Sequence, residues 1–224
     1  MKRDAEKGQY RIFIVDDHPV FCLGMTQLID KEADLEVIGS EETAVAAIEV
    51  IEKMRPDLAI VDISLKDSDG IDLVREISHR HPELPMLVLS MYDESLYAER
   101  AILAGASGYI MKQEAIPVVV KAIRHVLDGN LYASEKLKEK VFQRMVSRKK
   151  RLDEKFPLEP LTNRELEVFR LIGNGLSTKE ITEQMHISHK TVGTYRENIK
   201  NKLGLKHYTE LVKFAVHWSR QMEK

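Results

Sequence analysis

The sequence predicts a doubly wound α/β domain followed by a smaller all-α domain. Across the first 130 residues, short β-branched runs alternate with amphipathic stretches, the pattern of repeated βα units around a parallel sheet. After Leu161 the apolar spacing is wholly helical, and no Val/Ile/Thr-rich alternating run suggests a strand. Charge divides the chain at the same place. Up to Asp128 there are 14 Lys+Arg against 24 Asp+Glu, net −10, and beyond it 20 against 12, net +8.

The strands are expected at Tyr10 to Val15, Leu35 to Ile38, Leu58 to Val61, Met86 to Leu89 and Gly108 to Met111. Between and after them, apolar residues recur at helical spacing near Val20 to Ile29, Thr43 to Met54, Asp69 to His79, Ser95 to Ala104 and Ile116 to Leu127. From Ser134 to Lys155 the chain is polar and charged. Leu137, Val141, Met145 and Leu152 are spaced for one apolar face, with Ser134 as N-cap, so this stretch reads as a linker helix. The basic run Arg148 to Arg151, then Phe156-Pro157 and Glu159-Pro160, should end it. Four further helices are placed at Arg164 to Gly173, Thr178 to Met185, Lys190 to Leu203 and Tyr208 to Arg220. The expected domains are therefore 8–130, a helical linker over 131–157, and 158–224.

The 224 residues are 43% hydrophobic with a formal net charge of −2, which excludes a disordered or collagen-like chain. No apolar run approaches the ~20 residues that span a bilayer, and the start, MKRDAEKGQY, lacks an export-type apolar stretch, so a cytoplasmic protein is expected. Cys22, the only cysteine, cannot form an internal disulfide and reads as packing.

Doubly wound folds place ligands beyond the carboxyl ends of their strands. Asp16 and Asp17 follow the first expected strand, Asp62 the third, Ser90 the fourth and Lys112 the fifth. Any single Asp there is more often a helix cap or turn former. Together, however, three carboxylates form an oxygen-rich site for a hard divalent cation such as Mg²⁺. A carboxylate oxygen of Asp62 could then attack a phosphoryl group, with Lys112 and the Ser90 hydroxyl on its oxygens.

The segments IVDDHPV, VDISLKDSDG, VLSMYDE and GASGYIMK together resemble the receiver domain of bacterial two-component response regulators, over nearly all of residues 10 to 128. The resemblance implies a flavodoxin-like receiver. Asp62 is then the phosphoacceptor, Asp17 a direct metal ligand, Asp16 a ligand through water, and the Ser64 carbonyl a third ligand. Asp62 itself completes the metal set, and Lys112 pairs with the phosphate. Ser90 and Tyr109 resemble the family's switch pair, although an aromatic in a final strand is by itself more often core. Lys66 stands where the family commonly has Pro.

In the basic half, a short helix, a turn through His186-Ile187-Ser188 and a second helix are spaced as in helix-turn-helix DNA binders. On the second helix Val192, Ile199 and Leu203 share a core face. Lys190, Thr194, Glu197 and Asn201 lie opposite, flanked by Thr191, Arg196, Asn198 and Lys200. By charge alone, a solvated bundle face is as good a reading. Leu161-Thr162, Arg164-Glu165, Gly175, Lys179-Glu180-Ile181, Lys190-Thr191-Val192 and Lys202-Leu203-Gly204 resemble the LuxR-type DNA-binding domain, over about residues 158 to 220. On that resemblance Lys190 and Thr194 read bases, Thr191, Arg196 and Lys200 hold phosphates, and Thr178, Lys179 and Glu197 belong to the same surface. Gly193 and Tyr195 stand where the family frequently has Lys and His.

A receiver followed by this domain is similar to the NarL/FixJ subfamily of response regulators. The implied partners are a sensor histidine kinase, promoter DNA and a second copy of the chain when phosphorylated, with the last helix, Tyr208 to Trp218, as a dimer contact. Turnover of a small substrate is not expected, since no general acid or cap domain accompanies Asp62. The alternatives are a Mg²⁺-dependent phosphotransfer enzyme and a phosphorylation-independent DNA-binding regulator whose receiver serves as a dimerisation module.

Overall fold

The structure is a computed structural model describing residues 8–65, 68–92, 94–135, 137–139, 158 and 160–222. The chain forms two compact units, one up to residue 149 and one from residue 150.

In the first unit, β1 (Tyr10–Val15), β2 (Leu35–Glu41), β3 (Leu58–Asp62), β4 (Met86–Ser90) and β5 (Gly108–Met111) form one sheet. Its order is β2-β1-β3-β4-β5 and every pairing is parallel. Crossovers are made by α1 (Pro19–Ile29), α2 (Ala44–Met54), α3 (Gly70–Arg80) and α4 (Glu94–Ala104), and α5 (Ala115–Leu127) follows β5. Helices α1 and α5 cover one face and α2, α3 and α4 the other. With both faces covered, the strands bury nearly every side chain, which is why they read as continuous apolar runs. Ile12, Ile14, Leu58, Ile60, Leu87, Leu89 and Ile110 pack there against Met25 and Ile29 of α1 and Val119, Ile123 and Val126 of α5.

Two boundary differences matter. β2 runs past its expected end at Ile38, because the pairing with β1 shifts by one residue between Ile12 and Phe13 and lets the strand continue through Gly39. β3 and β4 each end one residue later than expected, so Asp62 and Ser90 are the last residues of strands, fixed by ladder pairing opposite Leu89 and Met111. The N-cap expected at Ser134 is present: its hydroxyl accepts from the Leu137 N–H at 3.2 Å. The remainder of the expected linker helix, with Val141, Met145 and Leu152, lies outside the described residues, as do the basic run Arg148 to Arg151, the Phe156-Pro157 stop, Glu159 and Lys66.

Among the described residues the second unit has four helices: α6 (Asn163–Gly173), α7 (Thr178–Met185), α8 (His189–Leu203) and α9 (Tyr208–Met222). Capping boxes open α6 and α7, with Thr162 and Glu165 in one and Ser177 and Glu180 in the other. Ser188 caps α8, and Gly204 ends it with a left-handed φ of 69°. Phe169, Val192, Ile199, Leu211 and Ala215 are fully buried. Leu203, expected among them, is only partly covered because it lies in the last turn of α8. The rings of Phe214 and Trp218 stand edge-on to Phe169 at 5.5 and 5.8 Å, and Trp218 is half-buried there.

Helices α6 and α9 approach closely at Gly173. A Cβ built there lies 2.6 Å from the Ala215 carbonyl oxygen and collides with the Ser219 hydroxyl. Gly173→Ala should therefore lower the unfolding free energy by about 1–3 kcal/mol through overpacking, seen as a lower denaturant midpoint, although helix propensity alone favours Ala by about 1 kcal/mol. A raised midpoint would refute the close crossing.

Candidate functional site

The parallel sheet brings the carboxyl ends of β1, β3, β4 and β5 to one rim. Asp16, Asp17 and Asp62 are each at most 3% exposed, and Lys112 enters from a short 3₁₀ turn, Lys112–Glu114. The Lys112 Nζ lies 2.6 Å from Asp16 Oδ2 and 2.7 Å from Asp62 Oδ2, with its charge 4.4 Å above the Phe21 ring. The other Asp62 oxygen, Oδ1, accepts the Ser64 N–H at 3.0 Å. Four of the residues named from the sequence thus come together, with Ser64 bonded to one of them.

When the three aspartates are ionised, they stand against one ammonium in a buried space. Burial raises the Asp62 carboxyl above the ordinary carboxylate range, and the Asp16 charge adds to this against the opposing pull of Lys112. Burial alone would lower the Lys112 ammonium, but Asp62 and Asp16 outweigh it and hold its pKa above the usual lysine value. The Asp62 direction is set first by burial, and the Lys112 direction reflects the carboxylates around it. The donor set is hard oxygen, and atoms of Asp16, Asp17, Asp62 and His18 all lie within 4.8 Å of one another. Such a set fits a divalent cation of the Mg²⁺ type.

Ser90 ends β4, fully buried, and its Oγ accepts the Tyr92 N–H at 3.1 Å. The Tyr109 ring is 3% exposed, and its hydroxyl donates to the Tyr92 carbonyl at 2.8 Å. One residue, Tyr92, therefore bonds to both members of the expected switch pair, and its own ring stacks on Tyr97 at 4.5 Å.

Three contributors were not anticipated from the sequence. His18 Nδ1 lies 3.1 Å from Asp16 Oδ1 and 2.8 Å from Asp17 Oδ1; its place directly after the aspartate pair was the available signal. Gly70 begins α3 so close under β3 that a Cβ would run into the Asp62 backbone, and the Asp69-Gly70 dipeptide at a helix start marks it. Tyr92 had no distinguishing sequence signal.

In the second unit Lys190, Thr194, Glu197 and Asn201 are exposed, opposite buried Val192 and Ile199. The Thr194 hydroxyl donates to the Lys190 carbonyl, and the Thr191 hydroxyl lies 2.8 Å from that of Ser188. Lys179 is exposed and 3.8 Å from Glu183. Lys200 is largely covered, its side chain 15% exposed, and pairs with Glu197 at 2.9 Å. Arg196 donates to Thr178 Oγ1 at 3.0 Å. At Gly193 an added Cβ meets open space.

Residues 12–124 match the response regulator receiver domain, and residues 159–215 match the bacterial regulatory proteins of the luxR family. The chain belongs to the NarL/FixJ subfamily of two-component response regulators. Among relatives, the transcriptional regulatory protein DegU of Brevibacillus brevis is 30% identical over 95% of both chains. A LuxR-family response regulator from Aurantimonas sp. SI85-9A1 is 29% identical with a TM-score of 0.56, covering 62% of this chain and 99% of its own. A structure of two RcsB dimers bound to two parallel DNAs is 25% identical with a TM-score of 0.54, covering 92% of this chain and 98% of its own. This response regulator is thus a transcription regulator with a receiver and a LuxR-type DNA-binding domain. Among its described residues no helix is long and apolar enough to cross a membrane.

Cys22 lies beneath the regulator's acidic rim, with its thiol directed at the Asp16 carbonyl at 3.4 Å. Burial and the Asp16 charge push it up from 9.0 to about 11. Native protein at neutral pH should resist iodoacetamide and react only once unfolded, because the reactive thiolate is withheld. Rapid mass gain in the folded state would contradict this placement.

Proposed function

We propose that this regulator accepts a phosphoryl group on Asp62 from a sensor histidine kinase and then binds promoter DNA as a homodimer in the cytoplasm. The observation carrying this reading is the convergence of Asp16, Asp17, Asp62 and Lys112 on one buried rim. In the transfer, an Asp62 oxygen forms the new P–O bond as the P–N bond of the donor phosphohistidine breaks and the imidazole leaves. Asp62 is consumed once per transfer, so the receiver is a stoichiometric acceptor rather than a turnover enzyme.

Asp17 directly, Asp16 through water, Asp62 and the Ser64 carbonyl would hold Mg²⁺. When bound, the ion supplies charge neutralisation on the phosphoryl oxygens. Lys112 leaves its aspartates to pair with the same oxygens, and phosphorylation adds roughly −1.5 to −2 charge for it to meet. The Ser90 hydroxyl turns to the phosphoryl group, which withdraws the acceptor of the Tyr92 N–H. Tyr92 shifts and releases or redirects Tyr109, whose hydroxyl it holds.

The proposed organisation is a receiver over 8–130, a helical linker over 131–157 and a DNA-binding domain over 158–224. Lys190 and Thr194 read base edges from the exposed face of α8, with Glu197 beside them. Thr178, Lys179, Thr191, Arg196 and Lys200 meet phosphates. Dimerisation joins two such helices across half-sites.

Intact mass after incubation with Mg²⁺ and a small phosphodonor tests the acceptor. Wild type should gain one phosphoryl group and bind DNA more tightly at fixed salt, and Asp62→Asn should do neither. An adduct on Asp62→Asn, or unchanged DNA binding by the wild-type adduct, would overturn the proposal.

A further inference from the structure

We infer that Tyr208 is a positioning residue of the DNA interface, acting by holding Arg196 ready for a backbone phosphate; this rests on the reading of Arg196 as a phosphate contact. The guanidinium of Arg196, in the middle of α8, lies 3.4 Å above the Tyr208 ring at the first residue of α9. Its Nη1 donates to Thr178 Oγ1 at the first residue of α7. One cation therefore bridges the starts of two helices and the middle of the helix between them.

Three nearby cations are answered by carboxylates: Lys179 by Glu183, Lys200 by Glu197 and Lys202 by Glu165. Among the described residues no carboxylate lies within ion-pair distance of Arg196. A guanidinium has five N–H donors, and Thr178 takes one. The Tyr208 face attracts the charge but accepts no conventional N–H bond, so it fixes the plane while leaving the edge donors available.

The adjacent helix starts are in part already occupied. Backbone N–H groups of Ser177 and Glu180 at the start of α7 are bonded within its capping box, and those of Lys206 and His207 before α9 donate to Glu210. Between them the guanidinium of Arg196 offers a charged donor to a phosphodiester. Held in advance, that side chain surrenders little rotamer freedom on binding.

The test is anisotropy of a fluorescein-labelled mixed-sequence duplex with the full chain over stepped salt, beside thermal melting. A mixed sequence isolates phosphate contacts, each contributing about −0.9 to the slope of log affinity against log salt. Tyr208→Phe, which keeps the ring, should retain wild-type affinity and slope. Tyr208→Leu, apolar but without a π face, should lose affinity about tenfold, the scale of one charged hydrogen bond, with a slope shallower by about 0.9. Arg196→Ala should do the same, and combining it with Tyr208→Leu should add nothing further.

A wild-type slope in Tyr208→Leu while Arg196→Ala loses its share would overturn the role of Tyr208 alone. A wild-type slope in Arg196→Ala would overturn the Arg196 phosphate reading and the inference with it. Loss in Tyr208→Phe equal to that in Tyr208→Leu would also overturn the ring mechanism.

Discussion

The receiver is organised around surplus buried negative charge held by one ammonium. Water would screen three aspartates in the open, but at the carboxyl edge of this sheet they are almost wholly enclosed, where like charges repel strongly. Lys112, within 2.7 Å of Asp16 and Asp62, offsets part of that repulsion. What remains is an affinity for positive charge, which is the property that the proposed function uses. Stability is set aside for function at this one place.

The rest of the receiver keeps that arrangement in register. Parallel pairing fixes Asp62 opposite Leu89 and Ser90 opposite Met111, so neither side chain can slip without reversing a fully buried strand. Gly70 lets α3 begin directly beneath the Asp62 backbone. Beyond the rim, two hydrogen bonds through Tyr92 join the Ser90 hydroxyl to Tyr109 on β5.

Most of the architecture was legible because buried parallel strands and amphipathic helices have different periods, and because the aspartates, Ser90 and Lys112 each follow a readable strand. The one-residue extensions of β3 and β4 were not legible, since Asp and Ser look like loop residues until the ladder is known to include them. Tyr92 and Tyr208 were missed for a related reason: each acts through a contact with residues far along the chain, 17 positions to Tyr109 and α8 to α9, that no local spacing encodes. Lys200 illustrates the converse. Its position on α8 suggested an open flank, whereas its stem is covered and its charge is paired with Glu197.

The surplus charge itself is tested most directly by the denaturation midpoint of Asp62→Asn against wild type, in chelator at neutral pH. Because Asp62 has a raised pKa in the fold, its favourable contribution is present below the ordinary carboxylate range and is lost as pH rises through the folded value. At neutral pH its ionised form is therefore a burden, and removing the charge while keeping the shape should raise the midpoint. A lower midpoint for Asp62→Asn would mean that the Lys112 pairing outweighs the cost of burying the charge and the repulsion from Asp16, and the account of the rim as a site of costly buried negative charge would be wrong.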